Sequence, residues 1–236
     1  MMANQFRDRA DAGQRLAQRL QAYRHDSQVV VVALPRGGVP VAYEIAKALQ
    51  APLDICLVRK LGVPGQPELA MGAIAVGGIE ILNSVIINGL EISQGALEAV
   101  ATRELEELER RDRVYRGPAP PLNVQDCTLI LVDDGLATGC SMRAAIAALK
   151  RQHPQRIIVA VPIASSTTCA QLESEVDQIV CLQQPEHLYA IGNWYQNFAQ
   201  TTDTEVCELL AKQQQAMLTL AGLPQTAESG GVSFNN

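Results

Sequence analysis

An α/β fold, a parallel twisted sheet with flanking helices, is what this sequence predicts, and three observations carry the prediction. Contiguous apolar runs rich in Val and Ile recur at 29–34, 129–132 and, after Arg156, 157–161, the pattern of strands covered on both faces. The first two pass through a glycine-containing turn into segments of helical periodicity, 41–49 and 142–149. Strands that alternate with helices imply right-handed crossovers in one parallel sheet, and 236 residues that are 47% hydrophobic can bury its core.

The elements follow in order. Phe6, Ala10, Gly13, Ala17 and Leu20 recur at helical spacing behind Asn4, which suits a cap. After the 29–34 strand, Pro35-Arg36-Gly37-Gly38-Val39-Pro40 turns into the 41–49 helix, with Pro40 in its first turn. A strand is expected at 54–58. Beyond it, 59–68 packs glycines and prolines beside Arg59 and Lys60, which predicts a mobile basic loop. The nearly uncharged stretches 72–90 and 157–172 do not read as membrane spans. The first carries Glu80, several glycines and two asparagines, and the second is cut by Pro162 and a Ser/Thr cluster. A long amphipathic helix is expected over 93–115, stopped by Pro118, Pro120 and Pro121. The strand at 156–161, a short helix at 169–175 and a closing helix at 204–220 complete the set. Residues 222–236 have the composition of a disordered tail.

The most informative stretch is Leu129-Ile130-Leu131-Val132-Asp133-Asp134-Gly135-Leu136-Ala137-Thr138-Gly139-Cys140-Ser141-Met142. It joins a buried strand to two carboxylates and then to the head of a helix, at the strand end where open α/β sheets bind ligands. Backbone N–H groups of Ala137, Thr138, Gly139, Cys140 and Ser141 can cradle a phosphate, Gly139 permits close approach, and the Thr138 and Ser141 hydroxyls add donors. Asp133 and Asp134 could simply turn the chain and cap the helix, but capping uses one acid and leaves the second repelling its neighbour. Both are employed if they accept hydrogen bonds from vicinal ribose hydroxyls, or share a magnesium ion with a polyphosphate.

On these residues the sequence resembles the type I phosphoribosyltransferases, whose signature is an apolar strand, two acids, a Thr-Gly-x-Thr/Ser loop and a helix. The resemblance implies a site for phosphoribosyl pyrophosphate (PRPP), with Asp133 and Asp134 on the ribose and 137–141 around the 5-phosphate. It also implies that the loop of Arg36, Gly37 and Gly38 holds pyrophosphate, with a non-proline cis peptide at Pro35–Arg36 to be inspected. Arg59 and Lys60 then fall on the family's flexible catalytic loop. A small hood is implied from roughly 183–200 together with the N-terminal helix, the whole domain spanning 1–221. The chain is only 4% aromatic, yet Tyr189, Trp194, Tyr195 and Phe198 cluster here. Trp194 and Tyr195 are the candidates to stack on a base, and Phe198 and Tyr189 are expected in the core. The implied reaction transfers the 5-phosphoribosyl group of PRPP to a nucleobase-like acceptor, with Mg2+ as cofactor, pyrophosphate as product and a homodimer as the assembly. One departure bears on the acceptor: Ala137 stands where oxopurine enzymes carry an acid/base Asp, so proton transfer falls to Glu68 or water.

A net charge of −6 speaks against nucleic acid or an anionic membrane as partner. The polar N-terminal stretch lacks a secretory pattern, and the expected location is the cytoplasm. Six cysteines without CxxC or Cys/His spacing, and three histidines, suggest neither a metal cluster nor a Ser-His-Asp order. Two other functional classes stay open. One is a non-catalytic regulator of this fold that senses PRPP or a nucleotide. The other, a dinucleotide-dependent oxidoreductase, lacks GxGxxG after the first strand.

Overall fold

A computed structural model describes residues 5–75, 79–117 and 119–222. Asn4, Pro118 and the tail from 223 onward lie outside the described residues, as does the side chain of Glu68. Five strands, β1 (Val29–Ala33), β2 (Leu53–Ile55), β6 (Thr128–Val132), β7 (Arg156–Ile163) and β8 (Gln178–Gln183), form a parallel sheet in the order β2-β1-β6-β7-β8. All residues of β1 and β6 are buried, which explains their unbroken apolar character. The sheet is covered by α1 (Arg9–Arg19), α2 (Gly38–Leu49), α5 (Cys140–Lys150), α6 (Ser166–Leu172) and α7 (Asp203–Leu220). One core cluster gathers α1 and α2 against Val31 and Ile130, and a second gathers Met142, Ile146 and Leu149 of α5 against Leu129 and Val159.

Several boundaries differ from the sequence expectation. Helix α1 is capped by Asp8, whose carboxylate accepts from the Asp11 amide, and Phe6 lies before the helix, bridged to Tyr195. Helix α6 begins at Ser166 rather than 169, because the Ser165 hydroxyl accepts from the Thr168 amide at 3.0 Å. The expected 54–58 strand is two strands: β2 stays in the parallel sheet, and β3 (Val58–Val63) leaves it after the buried Cys56 and Leu57.

The largest correction concerns 59–68, which is not a loop. Strand β3 pairs antiparallel with β4 (Gln66–Ala75), and β4 with β5 (Ile79–Leu82), making a separate three-stranded sheet. Pro64 and Gly65 occupy the two central positions of the β3–β4 turn, Gly65 at φ +79°, the residue pair a type II turn selects. Leu61, Val63 and Met71 are buried against Leu97, Val100 and Leu108 of α4 (Gln94–Arg116), so packing fixes the hairpin. A short helix, α3 (Ser84–Gly89), connects β5 to α4 and was not anticipated.

Candidate active site

Chain direction in the sheet creates the site. From β1 the chain crosses to β2 on one side, whereas β6 leads to β7 and β8 on the other, so order reverses between β1 and β6. Crevices at such reversals are where α/β sheets bind ligands. The β1–β6 register pairs Ala33 with Val132, which sends the turns after both strands out side by side. The Leu34 amide donates to the Val132 carbonyl at 2.8 Å, locking the two turns together at their base.

The first turn carries the expected cis peptide at Pro35–Arg36 and enters α2 through Gly37 and Gly38. These glycines lie against the acidic turn. A Cβ on Gly37 would fall 2.0 Å from Asp134 Oδ2, and one on Gly38 2.7 Å from the Val132 carbonyl oxygen. Only residues without a side chain let the two turns approach this closely. Arg36 extends to Asp203 in the first turn of α7, Nε to Oδ1 3.1 Å, and the same carboxylate accepts from the Tyr115 hydroxyl.

The second turn places both acids beside the first. Asp133 accepts from the Asp134 amide through its own carboxylate at 2.8 Å. Asp134 forms an ion pair with Arg9 of α1, Nε to Oδ2 2.8 Å. Burial, reinforced by the Asp134 charge, pushes the Asp133 carboxyl well above the usual range. Burial also raises Asp134, opposed by Arg9. The loop then rises to α5. Ala137, Thr138, Cys140 and Ser141 are exposed, Gly139 adopts φ +70° and α5 begins without a side-chain cap on its first-turn amides. Thr168 Oγ1 braces the loop from α6 by donating to the Ala137 carbonyl at 2.8 Å. Nothing in the 129–142 motif pointed to Thr168; the Ser165-Ser166-Thr167-Thr168 run was legible only as an interruption of an apolar stretch.

The other anticipated residues are placed differently. Arg59 lies on β3 with Nη2 2.6 Å from Glu104 of α4, which also receives Arg103. Lys60 is its exposed neighbour on the strand. Both line a cavity of about 690 Å³ between hairpin and α4 that contains none of the residues of the two turns. Tyr195 does not offer a stacking face. It is 4% exposed, packs between Phe6 and Phe198, and donates its hydroxyl to the Asp134 carbonyl at 2.7 Å. Trp194, in the 3-10 turn Ile191–Trp194, is half-buried against this cluster. Tyr189, expected in the core, is 90% exposed. Hood and N-terminus thus form one small apolar unit, in which a hydroxyl and a guanidinium reach the acidic turn.

A parallel sheet whose order reverses at an acid pair, facing a diglycine turn and a bare helix head, defines a protein of phosphoribosyltransferase type. Residues 3–190 match the family model of the phosphoribosyl transferase domain, and the chain belongs to that family. It is 39% identical to the protein TT1426 from Thermus thermophilus, whose crystal structure superposes with a TM-score of 0.76 over 89% of this chain and 99% of that one. It is also 44% identical over 205 residues to a Mycobacterium tuberculosis protein that carries the provisional name phosphoribosyl transferase, in strains H37Rv and CDC 1551 alike. The match covers 87% of this chain and 46% of that protein, so the chain spans about half the length of these curated relatives. Among the described residues no helix is long and apolar enough to cross a membrane.

Proposed function

We propose that the protein transfers the 5-phosphoribosyl group of PRPP to a nucleobase-like acceptor and releases pyrophosphate. The observation that carries this reading is the close approach of the two turns, Gly37 against Asp134, where the strand order reverses. The 5-phosphate lies on the amides of 137–141 and the Thr138 and Ser141 hydroxyls. Pyrophosphate lies on Arg36 and the amides of Gly37 and Gly38, Arg36 exchanging its Asp203 partner for the ligand. The acid pair takes the ribose hydroxyls and stabilises positive charge as the C1–pyrophosphate bond lengthens and the base nitrogen attacks C1. Rate enhancement then comes from positioning and preorganised electrostatics.

Magnesium fits this donor set as a cation carried by substrate oxygens. Among the described residues no three His, Cys, Asp or Glu side chains converge on a metal position, and one carboxylate of the pair is already engaged by Arg9. When bound with PRPP, magnesium neutralises the pyrophosphate charge.

Two observations favour a second reading, a PRPP or nucleotide sensor without turnover. Ala137 cannot exchange a proton, and Arg59 is turned to Glu104. Pyrophosphate release from PRPP with magnesium, measured across a panel of purines and pyrimidines, decides between them. Release with one acceptor class establishes the transferase. PRPP binding with no release for any base establishes the sensor, and neither binding nor release rejects both.

A further inference from the structure

Arg9 belongs to neither of the two turns, yet it makes the strongest contact with the acid pair. Asp8 caps α1, which fixes Arg9 at the first helical position. Its Nε meets Asp134 Oδ2 at 2.8 Å, its Nη1 donates to the Ala199 carbonyl at 2.6 Å, and its guanidinium lies 3.9 Å above the Phe198 ring. The Arg9 side chain is 12% exposed and that of Asp134 13%. The guanidinium is therefore held on three sides: by the acidic turn, the hood backbone and a hood ring. The N-terminal segment that brings it there is itself pinned. The Phe6 amide donates to the Trp194 carbonyl at 2.9 Å, and the Gln196 and Asn197 amides donate back to the Phe6 and Arg7 carbonyls at 2.8 Å.

Asp134 is equally enclosed. Besides Arg9, the Tyr195 hydroxyl fixes its carbonyl, and Gly37 abuts its Oδ2 closely enough to exclude a methyl group. The two acids thus have unequal surroundings. Asp134 is wedged between α1, the hood and the diglycine turn, whereas the Asp133 carboxylate meets its own turn's amide and the Gly38 position.

Resting on the transferase reading, we propose that Arg9 is a positioning residue: it holds Asp134 between hood and diglycine turn, and so keeps the acid pair in place for the ribose. The Arg9–Asp134 ion pair answers the repulsion problem posed by adjacent carboxylates beside a phosphate. Arg9 offsets the Asp134 charge, which lowers the repulsion the pair presents to a polyanionic substrate. A planar fork that spans a carboxylate and a carbonyl while stacking on a ring is an arginine geometry, which a lysine ammonium does not reproduce.

The test is a double-mutant cycle of Arg9→Gln and Asp134→Asn, read as PRPP affinity with magnesium by calorimetry and, given turnover, as KM for PRPP against KM for the acceptor. Removing a charged hydrogen bond of this kind is expected to weaken PRPP binding by about ten- to a hundred-fold. Arg9→Gln is expected to do so with the acceptor KM unchanged. In the Asp134→Asn background it adds less than about two-fold, the signature of residues acting as one unit. Arg9→Lys is expected not to rescue. Should Arg9→Gln fail to fold, Tyr195→Phe removes only the hydroxyl on the Asp134 carbonyl and is expected to weaken PRPP several-fold in the same parameter. Full PRPP affinity in the Arg9 variants, or in Tyr195→Phe where Arg9→Gln does not fold, overturns the positioning role while the transferase reading stands. An undiminished Arg9→Gln loss in the Asp134→Asn background does the same. A wild-type protein that binds no PRPP overturns both.

Discussion

The turns after β1 and β6 and the hairpin of β3 and β4 both carry glycine and cations, and they are built on opposite principles. At the sheet rim, position comes from parallel register. Ala33 and Val132 are partners, so the diglycine and acidic turns are brought together, and glycine is required because Gly38 meets the Val132 backbone and Gly37 the Asp134 carboxylate. In the hairpin, position comes from side-chain burial: Leu61, Val63 and Met71 lock onto α4, and Gly65 meets nothing within 4 Å. Gly37 and Gly38 therefore bear on the acidic turn they face, whereas Gly65 bears only on its own turn.

The contrast is broken most severely at the acids. Replacing Asp133 by Asn is expected to lower kcat/KM for PRPP by about 10²–10³-fold, the cost of removing one preorganised group from a developing charge. Its pH signature has a definite sign. The folded protein holds the Asp133 proton to higher pH than the unfolded chain, so this group's contribution to stability is fully present below the unfolded carboxylate pKa and is lost as pH rises through the folded value. Asp133→Asn removes that loss, and thermal denaturation at neutral pH is expected to show the variant melting higher than wild type while turning over less. A lower melting temperature for Asp133→Asn at neutral pH contradicts the assigned burial.

Next in size is Gly37→Ala. Its methyl has no space beside an Asp134 carboxylate that Arg9 prevents from turning away, so a cost of about 1–3 kcal/mol in stability is expected. PRPP-induced stabilisation should vanish with it in a thermal shift assay. Glu104→Gln tests whether the hairpin takes part in chemistry. It leaves Arg59 and Arg103 around a neutral partner, and is expected to lower the melting temperature while leaving the PRPP dissociation constant within about two-fold. A larger change in that constant assigns the hairpin cations to the substrate. The smallest effect is expected for Gly65→Ala, where positive φ alone costs about 1 kcal/mol, a melting shift of about 2–4 °C with unchanged PRPP binding.

The rim was readable from sequence because its determinants are contiguous. An unbroken apolar run announces a doubly covered strand, and Asp133, Asp134, Thr138 and Gly139 follow it within a few residues. Boundaries shifted where a cap decided them: Asp8 rather than Asn4 for α1, and Ser165 for α6. The hairpin was misread because Pro64-Gly65 signals a tight turn and a loose loop alike, and what separates them is the burial of Leu61 and Met71 by a helix that begins at Gln94. Tyr195 illustrates a harder limit. The local density of rings suggested stacking, but its partners Phe6 and Asp134 are remote in sequence. Arg9 left no signal at all, since 125 residues separate it from Asp134.

Calorimetric titration of PRPP with magnesium into the wild-type protein and into Asp133→Asn/Asp134→Asn tests the shared crevice most directly. One phosphoribosyl site formed by both turns predicts saturable one-site binding that the double variant abolishes while its melting transition stays cooperative. Equal affinity in the two proteins would contradict it.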